Sequence, residues 1–326
     1  MTGPEPGPGL TGTAAAAAST AVLVRPVPAV GAAVGLPASR SAGDPVTLPG
    51  RRRAAARAQA GRPVAVLAER GDIGAAGVAR EVAARLGGER VLLLTPGMLA
   101  RSRWSHRVGP DGRASTRIVL PDGRLLDSAR TGAVLHRLDR LPAVGLRRAD
   151  AKDLAYARTE LLALLASWLL GLGPRVLGPV SASGAARGSL SPTAALAHAA
   201  RCGLPVARRG GATRVGLLDR PAPGERLVPH LDWPGGRGAP VPADLLPDPG
   251  AGPSERLLLC GERLVGALAG RYAEPSRRLG ALLGSDLLEL RFTRGVLAEV
   301  DVCPPLAAAE QRSAVAEHLV ALAEAA

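Results

Sequence analysis

The sequence predicts an α/β protein in two parts, a parallel α/β domain followed by a smaller α+β domain, and three observations predict it. Val64-Ala65-Val66-Leu67-Ala68 and Val91-Leu92-Leu93-Leu94 are short, uninterrupted apolar runs, the mark of strands buried on both faces. Between them Ile73, Val78, Val82 and Leu86 recur near helical spacing. A strand, a helix and a strand in so short a stretch form a βαβ unit, which requires a parallel sheet. Near the other end, residues 256–268 and 287–302 each read as two strands around a tight Gly-containing turn, which is antiparallel pairing.

The elements follow in order. Residues 1–60 are Pro, Gly, Ala and Ser with no apolar periodicity. Such a composition does not bury enough surface to offset the entropy of ordering, so a disordered tail is predicted, closed by the solvated basic run Arg51-Arg52-Arg53. The first domain is expected over 61–190 and the second over 191–326. After the βαβ unit the apolar period changes. Arg103–Val108, Ser115–Leu120 and Arg124–Leu126 read as an antiparallel meander, split by Asp111-Gly112 and Pro121-Asp122-Gly123. Ala133–Leu138 is a further strand, a helix spans Asp150–Leu172, and Val176-Leu177 is the last strand of this domain. The apolar run Leu161–Leu172 is too short to cross a bilayer and fits a core helix.

Ser191-Pro192 is a helix start, with serine at the N-cap and proline at N1, and Gly203 ends that helix. From Ala207 to Ser254 the chain is rich in Gly, Pro and Arg; weak strands are expected near Thr213–Leu218 and Arg226–Pro229, and loop elsewhere. Between the two hairpins a helix is expected from Pro275 to Leu283, and an amphipathic helix, Ala307–Ala325, follows the second.

Composition narrows the function. The chain has 326 residues, 47% of them hydrophobic and only 2% aromatic, so its core is aliphatic. The net charge is +13, which by itself points to an anionic partner. Much of it sits in the tail, however, and the remainder is interleaved with acids among too few aromatics to stack on bases; nucleic acid is not the expected partner. Lys152 is the single lysine. The three cysteines, Cys202, Cys260 and Cys303, are far apart, with neither disulfide nor zinc spacing, so a reducing, cytoplasmic setting is expected. No membrane span and no signal peptide are expected.

Few motifs carry chemistry. GDIGAAG at 71–77 is not the G-x-G-x-x-G fingerprint, there is no Walker A sequence, and Ser181 and Ser183 lie in no nucleophile elbow. The histidines are isolated and the tryptophans read as packing residues. The second hairpin is different. Glu299 and Asp301, two apart on one strand, share a face, and pairing across the turn can bring Glu289 beside them. Three acids on one face repel unless a cation sits among them, and hard oxygen ligands suit Mg²⁺. A solvated sheet face is the other reading of the same residues.

The run LLELRFTRGVLAEVDVCPPL (287–306) resembles the signature of the ATP-grasp ligases, in which an acid begins one strand and E-V-N-x-x-P closes the next. SERLLLCGERLVGAL (254–268) is similar to the hairpin that precedes it in that family, and AALAHAARCGLPV (194–206) to the helix that enters the ATP-grasp domain. The segment before residue 190 resembles the pre-ATP-grasp domain of the peptide-modifying, RimK-like branch. The resemblance implies a pre-ATP-grasp-like α/β domain followed by a reduced ATP-grasp-like α+β domain. It assigns Glu289, Glu299 and Asp301 to magnesium and Arg256 to the transferred phosphoryl group; for the ATP phosphates, which lysines hold in the family, Arg208, Arg214 and Arg226 are the basic residues available.

Two departures from the family pattern stand out. Asp301 replaces an asparagine, and residues 207–254 contain none of the lysines that hold ATP phosphates in the family. Arg209 and Arg220 are also available there, but a planar guanidinium is not equivalent to a lysine ammonium. The implied function is an ATP- and Mg-dependent carboxylate–amine ligase acting through an acyl phosphate on a small-molecule or peptide carboxylate. The alternative is a catalytically degenerate ATP-grasp-like protein that binds a ligand or a partner protein.

Overall fold

The structure is a computed structural model and describes residues 61–144, 149–181, 186, 191–206, 210–212, 223, 225–229, 243–247 and 253–326. The predicted tail, the expected strand at Thr213–Leu218, and Arg208, Arg209, Arg214 and Arg220 lie outside these residues.

The βαβ unit forms as its apolar pattern requires. β1 (Val64–Ala68) is buried along its whole length, α1 (Ile73–Leu86) follows, and β2 (Val91–Leu94) returns parallel to β1. Asp72 caps α1, its carboxylate accepting the Ala75 N–H at 2.9 Å. A short helix, α2 (Pro96–Arg101), then leads into the meander β3 (Arg103–Val108), β4 (Ala114–Val119) and β5 (Leu125–Asp127). β6 (Ala133–Arg137) pairs with β1 on the side away from β2. The long helix α3 (Ala151–Leu172) and β7 (Val176–Leu177) complete an all-parallel sheet of order β2-β1-β6-β7. By length and composition alone α3 could cross a membrane, but its Leu165, Trp168, Leu169 and Leu172 are buried in a core.

α4 (Pro192–Arg201) starts at Ser191 as the sequence predicts. The Gly/Pro-rich stretch contains three strands, β8 (Gly210–Ala212), β9 (Glu225–Pro229) and β10 (Ala243–Pro247), in the order β8-β10-β9; β9 is the strand expected at Arg226–Pro229, while β8 and β10 fall where loop is expected. Its side chains are too small or too irregular for their period to reveal pairing. The last sheet is antiparallel, of order β12-β11-β13-β14, from β11 (Ser254–Cys260), β12 (Arg263–Val265), β13 (Leu287–Thr293) and β14 (Val296–Asp301). α5 (Ala269–Leu283) begins earlier than predicted because the chain runs through a kink at Tyr272 and carries Pro275 inside it. The terminal helix α6 spans Ala309–Ala325.

All of these elements fall within one compact unit, residues 53–326. Three apolar clusters tie them together. One face of the parallel sheet packs on α3 and the meander through Leu67, Leu94, Ile118, Leu126 and Trp168. Its other face, α1 and α6 share a cluster with Leu258, Cys260, Val265 and Leu287 of the antiparallel sheet. The far face of that antiparallel sheet packs Leu257, Leu259, Leu288, Leu290 and Phe292 against α4 and α5. α6 therefore lies where the two sheets meet, and the loop that precedes it joins the antiparallel sheet to the parallel one.

Candidate functional site

β13 and β14 are joined by Arg294-Gly295, with φ of 52° and 79°. Two left-handed residues in a two-residue loop give the tight hairpin whose twist matches that of its strands. In a regular hairpin closed by this turn, Thr293 faces Val296 and each earlier residue pairs in step, so Glu289 falls on the face opposite Glu299 and Asp301. The observed register shifts between Arg291 and Phe292: Phe292 pairs with Leu297 but Arg291 with Glu299, so Ala298 has no partner of its own. This one-residue bulge moves Glu299 and Asp301 onto the face that carries Glu289. Glu289 lies directly opposite Asp301.

The same face carries two arginines. Arg291 alternates with Glu289 along β13, and Arg256 of β11 lies opposite Arg291. The Arg256 Nη1 is 3.5 Å from the Glu289 Oε1. Arg291 bridges the hairpin, with Nη1 3.1 Å from the Glu299 Oε2 and Nη2 4.0 Å from the Glu289 Oε1. Glu289 is 1% exposed, and its second oxygen accepts a hydrogen bond of 2.7 Å from the Gln311 side chain at the start of α6. Asp301 accepts the Cys303 N–H at 2.8 Å, which turns the chain sharply into Pro304-Pro305. Two buried polar atoms, the Arg291 Nε and the Thr293 Oγ1, have no hydrogen-bond partner.

The fold thus brings Glu289, Glu299, Asp301 and Arg256 to one face. Arg291 joins them, marked in the sequence only by its alternation with Glu289. Arg226, on β9, is exposed. Arg208 and Arg214 lie outside the described residues. Lys152 is exposed on the first turn of α3.

These residues do not fit a bound Mg²⁺ as they stand. Among the described residues no three His, Cys, Asp or Glu side chains come together as a metal-holding group. A guanidinium ties Glu289 to Glu299, and the three carboxylates and two arginines together carry one net negative charge. A hard dication shares its shell with anionic oxygen, not with guanidinium.

No family model and no curated protein matches the sequence. Solved structures do match. The ATP-grasp ligase PsnB, complexed with a minimal precursor, aligns over 80% of this chain and 98% of its own at 15% identity and a TM-score of 0.57. The macrocyclase MdnB from Microcystis aeruginosa MRC aligns over 79% and 99% at 12% identity, TM-score 0.55. A RiPP-associated ATP-grasp ligase of Chryseobacterium gregarium, in complex with ADP and a leader and core peptide, aligns over 80% and 97% at 11% identity, TM-score 0.52. At these identities the likeness is one of fold: this chain has the ATP-grasp fold, with parallel and antiparallel sheets.

Proposed function

We propose that the chain is a peptide-binding protein with the ATP-grasp fold, in which an internal ion pair takes the place of the metal and nucleotide machinery. The observation that carries this reading is the Arg291 guanidinium, which engages Glu299 at 3.1 Å and Glu289 at 4.0 Å on the face where the resemblance puts magnesium. The sequence adds that residues 207–254 hold no lysine to grip ATP phosphates. The peptide enters by analogy, because several proteins of this fold were solved with precursor peptides bound.

The other reading is an ATP- and Mg-dependent ligase that activates a peptide carboxylate as an acyl phosphate. The register favours it, since the bulge at Ala298 places Glu289, Glu299 and Asp301 on one face beside Arg256. In that reading Arg291 leaves the carboxylates when nucleotide arrives.

Thermal unfolding with and without millimolar Mg-ATP separates the two, because a ligand of the native state raises the midpoint. The binding reading expects no shift. A rise that disappears in Glu299→Ala would overturn it in favour of the ligase.

A further inference from the structure

Open parallel sheets take their ligands outside the carboxyl ends of the strands. In this chain the amino ends carry a pattern of their own, because each of the four parallel strands is entered through an arginine. Arg90 stands directly before β2, Arg62 two residues before β1, Arg130 three before β6 and Arg175 directly before β7. The strand order β2-β1-β6-β7 therefore sets them out in the order Arg90, Arg62, Arg130, Arg175, with about 4.8 Å between neighbouring strands.

Two of the four act as braces. The Arg90 Nε and Nη2 donate to the Arg62 carbonyl at 3.3 and 3.0 Å, and the guanidinium lies against Gly61, where a Cβ would collide with it. The Arg175 Nη1 donates to the Ser128 and Thr131 carbonyls at 2.8 and 2.7 Å. The braced segments are tied to each other as well, since the Gly132 N–H donates to the Pro63 carbonyl at 2.9 Å. A cavity of about 280 Å³ opens here, lined by Gly61 and Arg62 from one segment and Ala129 and Arg130 from the other.

This wall holds no acid and no large apolar group, so it suits a small hydrated anion and not a hydrocarbon. Asp127, at the start of the second segment, is already engaged: Oδ2 accepts from Arg117 at 2.8 Å and Oδ1 from the Ala129 N–H at 2.9 Å. Among the described residues no carboxylate pairs with Arg62 or Arg175. Burial, and after it the like charge of Arg62, lower the Arg175 pKa from its usual value. The chain brings more of the same charge to this point, for residues 51–62 hold five arginines and no acid.

Guanidinium forks without carboxylates match a phosphate, whose oxygens accept from several N–H groups at once and whose double charge offsets two arginines. We propose that this cavity binds a phosphate group, gripped by Arg62 and further offset by the charges of Arg130 and Arg175. A soluble phosphate and a lipid headgroup both supply that chemistry, and the basic run ahead of Arg62 suits the headgroup. The proposal stands under either reading of the hairpin.

The test uses the full chain. Inorganic phosphate is titrated at constant ionic strength, with chloride as control, and the arginine Nε–H resonances and the thermal midpoint are followed. Phosphate should shift the Arg62 resonance to saturation and raise the midpoint, and chloride should do neither. The Arg62 side chain braces nothing, so Arg62→Gln should fold. It should weaken phosphate binding by about tenfold, and Arg62→Lys by less, since lysine keeps the charge without the fork. Vesicles separate the two sources. Sedimentation with phosphatidylcholine vesicles that contain phosphatidic acid, absent with phosphatidylcholine alone and lost in Arg62→Gln, supports the cavity with a headgroup as its ligand. Saturable phosphate binding without sedimentation supports it with a soluble ligand.

Phosphate that leaves the Arg62 resonance in place, or that binds Arg62→Gln as tightly as the parent, overturns the cavity and moves the anion elsewhere on the chain. No response to phosphate or to phosphatidic acid overturns it as well.

Discussion

Arg291 and Glu299 face each other directly across β13 and β14, and their side chains pair at 3.1 Å. The pairing follows from the bulge, because without the extra residue Ala298 the two side chains would leave the sheet on opposite faces. The bulge that assembles the acidic face therefore also delivers its counterion. Glu289 is buried, and Arg256, Arg291 and Gln311 all lie against its carboxylate.

Removing that counterion should turn the face into a cation site. Arg291→Leu keeps a strand-compatible side chain but leaves three carboxylates against Arg256 alone. The variant should bind Mn²⁺, seen as line broadening of nearby amides or as a midpoint that rises with millimolar metal, whereas the unaltered chain should show neither. A variant that takes up no more Mn²⁺ than its parent would show that the three acids are not a latent metal set.

Gln311 tests the other end of Glu289. Its amide is the hydrogen-bond donor to the second oxygen of a carboxylate that is 1% exposed. Gln311→Leu fills similar volume and leaves that oxygen unsatisfied, which should cost roughly 2 kcal/mol. The cost should appear in urea unfolding as a lower midpoint at unchanged slope. Gln311→Glu should cost more, since it sets two buried carboxylates together. Full stability in Gln311→Leu would mean that water or Arg256 serves the oxygen instead.

How far the sequence discloses this arrangement depends on the kind of signal. β1, β2 and β6 are legible because strands buried on both faces must be apolar throughout. α4 is legible because Ser191-Pro192 is a start signal that few other structures use. The hairpin and its turn are legible from Arg294-Gly295. The bulge is not, since one extra residue leaves no mark in the run VLAEVD, and a strict alternation would have placed Glu289 on the wrong face. β8 and β10 are hidden because Gly210-Gly211-Ala212 has no side chains to show a period. The ion pair of Asp72 with Arg137 is hidden for a different reason: the two are far apart along the chain, and only the pairing of β1 with β6 brings them together.

The joint between α1 and the loop before α6 is tight enough to test by one methyl group. A Cβ at Gly74, in the first turn of α1, would stand 2.1 Å from the Pro305 carbonyl oxygen. Backbone lies on both sides, so neither can yield by changing rotamer. Gly74→Ala should therefore destabilise the fold by about 1–3 kcal/mol, against the usual gain of alanine over glycine in a helix. An Ala variant as stable as its parent would show that α1 and the loop before α6 are not held in this contact.

Stability should also fall on mild acidification, through His318. This residue of α6 packs against the Gly261 turn, where a Cβ would meet its ring at 2.4 Å. Burial holds its pKa below the ordinary 6.5, and the Asp286 carboxylate opposes the shift without cancelling it. Above pH 6.5 the imidazole is neutral in both folded and unfolded chains, and the stability is intact. As the pH falls through that value the unfolded chain takes up a proton that the folded chain refuses, so stability is lost progressively down to the folded pKa. The urea midpoint should decline as the pH falls below about 6.5, before most carboxylates titrate. His318→Gln removes the titrating ring while keeping a polar side chain of similar reach, and its midpoint should decline less over the same interval. The difference between the two curves isolates His318 from the other four histidines, which both proteins share. Equal slopes in the two proteins would assign the loss to another group.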